Sequence, residues 1–153
     1  MPDAVRAMLE RWVEAMDTGD WDAIGAMVHP DFVEEMPQTR ERTRGWDNMR
    51  AILQGFPDSR GGPPAEAEDI TVVEPAQQWA MSPSFTLVQV QGDFDRYTVT
   101  MRAHYPDDTY WHGIFLVRLR DGKLWRITSY YAPEMPAPEW RAPFVERMDE
   151  IAT

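Results

Sequence analysis

The chain of 153 residues carries 26 acidic against 15 basic side chains, a net charge of −11, and has no cysteine. Disulfides, thiolate metal sites and thiol nucleophiles are therefore excluded. Nucleic acid is an unfavourable partner, because binding a phosphate backbone needs a basic footprint. The length suits a single domain over residues 1–153 that buries its core without covalent staples. The N-terminal stretch shows charges within its apolar periodicity rather than a signal-peptide core, and no run is apolar enough to span a bilayer. A cytoplasmic protein with no membrane partner is expected.

In chain order, a first helix is expected over residues 3–16, capped by Asp3, with Val5, Met8, Leu9, Trp12, Val13 and Met16 on one stripe. Asp17-Thr18-Gly19 ends it, and Asp20 caps a short second helix over 21–28 that His29-Pro30 stops. Residues 31–36 are a short strand candidate, followed by a charged connection whose arginines, Arg40, Arg42 and Arg44, are neutralised locally. Gly45 opens a third helix over 46–56. Residues 57–68 are punctuated by Pro and Gly and read as a loop. Strands follow at 70–74 and 84–91, with a turn at Gly92-Asp93-Phe94-Asp95. Three long strands then run over 97–105, 109–119 and 123–131, separated by Pro106-Asp107-Asp108 and by Asp121-Gly122. After Tyr131, Pro133, Pro136, Pro138 and Pro143 break any helix, so an extended segment should lead to a short helix over 143–151.

This order predicts an α+β fold: a cone-shaped, curved antiparallel β-sheet of four to six strands wrapped around three N-terminal helices, with an apolar pocket at its open end. Trp12, Met16, Trp46 and Met49 are the helical residues expected beside it. Seven Trp, five Tyr, six Phe and ten Met supply the large, adaptable surfaces that a core or a ligand cavity needs.

The element order, Trp21-Asp22 after the first helix, His29-Pro-Asp-Phe, Arg44-Gly before the third helix, His112 ahead of Asp121-Gly-Lys, and the ending Tyr130-Tyr-Ala-Pro together resemble the SnoaL-like branch of the nuclear transport factor 2 superfold. The resemblance covers nearly the whole chain and implies the cone fold. It also implies a small-molecule site of the kind found in polyketide cyclases, ketosteroid isomerases, epoxide hydrolases and non-catalytic binding modules. In the cyclases of this family a strand histidine at the place of His112 and an aspartate on the last long strand form the acid/base apparatus. Here the aspartate's place falls at about Ser129. In the epoxide hydrolases an Arg and an Asp two apart on one strand, with a second Asp on the last strand, activate water, and the comparable positions here are Arg102, His104 and Ser129.

His112, His104 and Arg102 are thus the candidate catalytic residues, and Trp12, Met16, Trp46, Met49, Glu34, Tyr110, Trp111, Ser129 and Tyr131 the candidate ligand contacts. Two strand residues apart, Arg102 and His104 share a face, which reads as solvated or interfacial. A two-residue turn at Asp107-Asp108 pairs Ala103 with His112, placing His112 on the opposite face with Met101 and Tyr105; a bulge would reverse that. Glu34 and Glu35 point opposite ways along a strand, and solvated or salt-bridged states are favoured over a cavity carboxylate. No metal-ligand spacing links His29, His104 and His112, and no Gly-rich phosphate loop is present, so neither metal nor cofactor is expected. The reading is an acid/base enzyme of cyclase, isomerase or hydrolase type acting on an apolar cyclic molecule, with a cavity that binds without turnover as the alternative. A homodimer through the sheet is the expected partner arrangement.

Overall fold

A computed structural model describes residues 2–57, 66–73, 78–81, 87–90 and 96–148, with side chains over 7–57 and 96–148. Three helices, α1 (Pro2–Thr18), α2 (Trp21–Ala26) and α3 (Trp46–Gln54), are set among eight strands: β1 (Val28–Met36), β2 (Glu41–Arg44), β3 (Glu66–Val73), β4 (Gln78–Met81), β5 (Leu87–Val90), β6 (Arg96–His104), β7 (Tyr110–Arg120) and β8 (Lys123–Pro133). Six strands form one curved sheet in the order β2-β1-β8-β7-β6-β3, and β4 pairs with β5 apart from it. The fold is α+β, as the sequence predicts. The sheet, however, is mixed, because β1 runs parallel to β8.

Local chemistry accounts for most boundaries. Asp20 caps α2 by accepting the Ala23 N–H at 3.0 Å. Asp121 and Gly122 both hold positive φ, 53° and 69°, the twist a two-residue hairpin needs between β7 and β8. Four expectations need correction. Asp3 lies inside the first turn of α1 rather than capping it. His29-Pro30 does not stop α2 but lies within β1, where Pro costs no ladder bond at an irregular stretch of the β1–β8 pairing. The charged connection after β1 is a turn leading to β2, whose Arg42 bonds Glu35 across the pair at 2.9 Å. Residues 66–68 belong to β3, paired with β6. Of the other expectations, the turn at 92–95 and most of the loop before β3 lie outside the described residues.

The core sits between the helices and the inner face of the sheet. Phe32, Val28, Met49, Tyr97, Leu119, Leu124 and Ile127 form one buried cluster, and Ala15, Trp21, Ile24 and Met27 a second beneath α1 and α2. Trp46 packs against both and closes over Gly25, where an added Cβ would lie 2.5 Å from the indole nitrogen. Gly25→Ala should therefore cost about 1–3 kcal/mol through displacement of Trp46; an unchanged melting temperature would show that the indole moves freely.

The C-terminal segment is extended, then forms a 3₁₀ helix over Glu139–Phe144, upstream of the helix expected from the sequence. Pro143 lies inside it, which fits a short 3₁₀ turn and not an α-helix. Residues 149–151 of the expected helix lie outside the described residues.

Candidate active site

Alternation along the strands sorts the predicted site residues by face. Val99 and Met101 of β6 with Tyr105 just beyond it, Trp111, Phe115 and Val117 of β7, and Ile127, Ser129 and Tyr131 of β8 face inward, where with Met8, Trp12 and Met16 of α1 and Met49, Leu53 and Phe56 around α3 they line a cavity of about 920 Å³. That volume lies at the upper end of the range for small-molecule sites. Of the expected contacts, Trp12, Met16, Met49, Glu34, Trp111, Ser129 and Tyr131 line it. Trp46 and Tyr110 do not, the former being occupied by the core and the latter by the outer face.

The three expected catalytic residues lie on the outer face. Arg102 pairs directly with His112, and His104 with Tyr110. The register differs from the two-residue turn because the β6–β7 loop holds three residues between Tyr105 and Thr109, with Asp108 in the left-handed region at φ 64°. One additional residue moves every side chain of β7 to the other face. His112 is thereby separated from Met101 and Tyr105 and joined to Arg102 and His104. A surface network follows: Arg102 donates to Glu134 at 2.8 Å, His112 lies 3.1 Å from the same carboxylate oxygen, His104 bonds Asp108 at 2.8 Å, and the Tyr110 ring is stacked on His104 and covered by the Arg102 guanidinium. The Arg102 hydrogen bond, foremost, holds Glu134 below the usual carboxylate range.

Inside the cavity the ionisable centre is Glu34. Adjacent carboxylates on β1 part company: Glu35 turns outward to Arg42, while Glu34 turns in and accepts a 2.6 Å hydrogen bond from the Ser129 hydroxyl. Ser129 is 1% exposed, so its hydroxyl is shielded from water as it donates to Glu34. Desolvation raises the pKa of Glu34, and the Ser129 bond opposes the rise only in part. Tyr131, on the same face of β8, is kept protonated by burial, by the neighbouring Glu34 and by Tyr105; Tyr105 is raised by burial and by Asp107. Phe115 meets Tyr131 edge-on at 5.4 Å between ring centres, and Gly113 leaves room for the Phe115 ring, since a Cβ there would lie 2.8 Å from it.

A desolvated carboxylate on β1 and hydroxyls on β8 are therefore brought together inside an apolar enclosure. The signal in the sequence was the adjacent pair Glu34-Glu35, of which alternation lets only one face the cavity; which carboxylate turns inward depended on the β1–β8 register. Among the described residues no group of three His, Asp or Glu side chains could hold a metal ion, and no helix is long and apolar enough to cross a membrane.

A family model for the SnoaL-like domain matches residues 9–127. The chain belongs to the SnoaL-like family. No curated protein matches this SnoaL-like chain. Among solved structures it is similar to a nuclear transport factor 2-like protein of unknown function from Burkholderia xenovorans LB400, at 21% identity and TM-score 0.64 over 96% of this chain and 97% of that one. It is also similar to a candidate ketosteroid isomerase from Kribbella flavida DSM 17836, at 20% identity and TM-score 0.65 over 97% and 92%. A candidate polyketide cyclase from Xanthomonas campestris pv. campestris follows at 21% and 0.57 over 85% and 91%. At these identities the likeness establishes the fold that the SnoaL-like chain shares with them.

Proposed function

We propose that this SnoaL-like protein is a cofactor-independent enzyme that performs acid/base chemistry on a mainly apolar cyclic molecule, with Glu34 as the group that takes and returns the proton. The observation that carries the reading is one carboxylate, raised in pKa by desolvation and oriented by Ser129, inside a large apolar cavity. A carboxylate whose pKa is raised is a stronger base, once ionised, than an ordinary exposed one. Tyr131 and Tyr105, kept protonated, supply hydroxyl donors for an oxygen on which negative charge develops as Glu34 removes the proton. His112, Arg102 and His104 lie across the sheet from this chemistry and are assigned no part in it.

A panel of cyclic ketones, epoxides and aromatic polyketide mimics, screened for binding and then for turnover, tests the reading. Conversion by the wild type and by His112→Ala, with loss in Glu34→Gln, supports it. Binding without conversion throughout the panel assigns the cavity to ligand binding alone, and loss of conversion in His112→Ala returns the chemistry to the outer face.

The outer face supports a homodimer. Ile114, Leu116 and Tyr130 are exposed there. They lie between a cross-strand row of Arg96, Arg118 and Arg126 and the opposite end of the strands, which carries Glu134 and Asp108. A second copy turned end to end sets the arginine row against that end, where Glu134 is shared with Arg102 and His112 and Asp108 with His104, over an apolar centre, whereas the parallel alternative sets arginine on arginine. Light scattering should give twice the 17.8 kDa chain mass, reverting to one chain in Ile114→Asp/Leu116→Asp. A monomeric wild type sinks this arrangement.

A further inference from the structure

Among the described residues the charges that border the cavity all have one sign. Glu34 faces its interior, Asp17 lines it from the last turn of α1, and Asp107 lines it from the β6–β7 loop. Among the described residues no Arg, Lys or His lines it. Helix α1 carries no basic residue in its last turn, so no cation of its own offsets the negative end of its dipole beside Asp17, which adds to the same potential. The net charge of −11 extends the field outward and raises the local concentration of cations at the mouth.

The interior adds two features that a cation uses. Among the described residues the hydrogen-bond partner of Glu34 is one neutral hydroxyl, that of Ser129. A carboxylate with one hydroxyl partner in an apolar site lacks a counter-charge, and it gains most from a cation that can enter without a large hydration shell. The walls include the aromatic rings of Trp12, Phe56, Tyr105, Trp111, Phe115 and Tyr131, and aromatic rings attract an organic cation through their quadrupoles. A carboxylate- or phosphate-bearing ligand would meet three like charges and no counter-ion among the described residues.

We propose that the cavity selects a hydrophobic organic cation, an amine or quaternary ammonium carried on a ring system, with the charged nitrogen close to Glu34 and the rings against the aromatic wall. The inference deepens the reading of the cavity given above, on which it rests for the place of the ligand, and names the substrate class of that site. Uncharged rings of the same size lose the Coulombic and cation–π contributions while keeping the apolar one. Size therefore admits a ligand, and charge discriminates between ligands.

The test is a matched series on one anthracene ring: a dimethylaminomethyl arm, a trimethylammoniomethyl arm, the uncharged isobutyl arm and the anionic carboxymethyl arm, with affinity read from anthracene anisotropy at fixed salt. The two cations should bind about tenfold or more tighter than the isobutyl compound, and the carboxymethyl compound more weakly than any of them. Glu34→Gln should reduce the cation preference to within about twofold, and Asp17→Asn, at the mouth, should reduce it by a smaller factor; the second variant keeps the test open if the first does not fold. Equal binding of the isobutyl compound, tighter binding of the carboxymethyl compound, or no binding of the series overturns the proposal. None of these outcomes depends on turnover, so the cation preference can fail while the acid/base reading stands, and the reverse.

Discussion

Glu34→Gln should lower kcat, at saturating substrate, by about 10²–10⁴-fold, the usual contribution of a positioned proton-transfer group. Gln keeps the shape and can still accept the Ser129 hydroxyl, so the loss isolates the proton and not the packing. The pH dependence carries a sign. Glu34 acts as a base only when ionised, and burial raises its pKa above 4.5, so wild-type rates should climb with pH through that raised value. Ser129→Ala removes the hydrogen bond that favours the ionised form and should move this limb to higher pH. A limb that moves to lower pH, or a Glu34→Gln enzyme within about threefold of wild type, would show that another group carries the proton.

The same residue couples activity to stability. A carboxyl whose folded pKa exceeds its unfolded value binds protons more readily in the native state. Wild-type stability therefore falls as pH rises from about 4.5 through the raised folded pKa. Glu34→Gln has no such titration. It should be the more stable protein above that window and lose its advantage below it, a trade of stability for function that melting curves across pH would reveal.

Phe32→Ala should destabilise the protein by about 3–5 kcal/mol, the range for deleting a fully buried aromatic ring. Phe32 is 1% exposed and sits in the cluster joining β1, α3 and the central strands. At roughly 2–4 °C per kcal/mol for a chain of this size, the melting temperature should drop by roughly 6–20 °C. Phe144, 81% exposed on the 3₁₀ helix, is the control: its replacement by Ala should stay within about 0.5 kcal/mol. Comparable losses in the two variants would mean that the C-terminal aromatic is buried in solution, as it would be by a neighbouring copy.

Most of the architecture was legible because it is written locally. The stripe of Met8, Leu9, Trp12 and Met16 specifies a buried helix face, Asp20 specifies a helix start, and Asp121-Gly122 specifies a two-residue hairpin, each through interactions spanning only a few residues. The motifs that resemble the SnoaL-like family extend this to the whole chain, and the family match agrees. Misreadings fell where a local signal was outweighed by a distant partner. His29-Pro30 reads as a helix stop but is incorporated into β1 beside β8, and Glu41–Arg44 reads as a charged linker but pairs with β1.

The site depended on register, which no local pattern encodes. The sequence determined that Arg102 and His104 share a face, that Glu34 and Glu35 oppose each other, and that a large aromatic and methionine surface needs covering. The tertiary structure decided which face is which. One extra loop residue between β6 and β7 places His112 beside Arg102 on the outer face, and the parallel pairing of β1 with β8 brings Glu34 to Ser129 across 95 positions of chain. Strand side chains alternate with a period of two, so a shift of one residue exchanges cavity for surface. Composition and spacing are unchanged by such a shift, and only the folded sheet distinguishes the two outcomes.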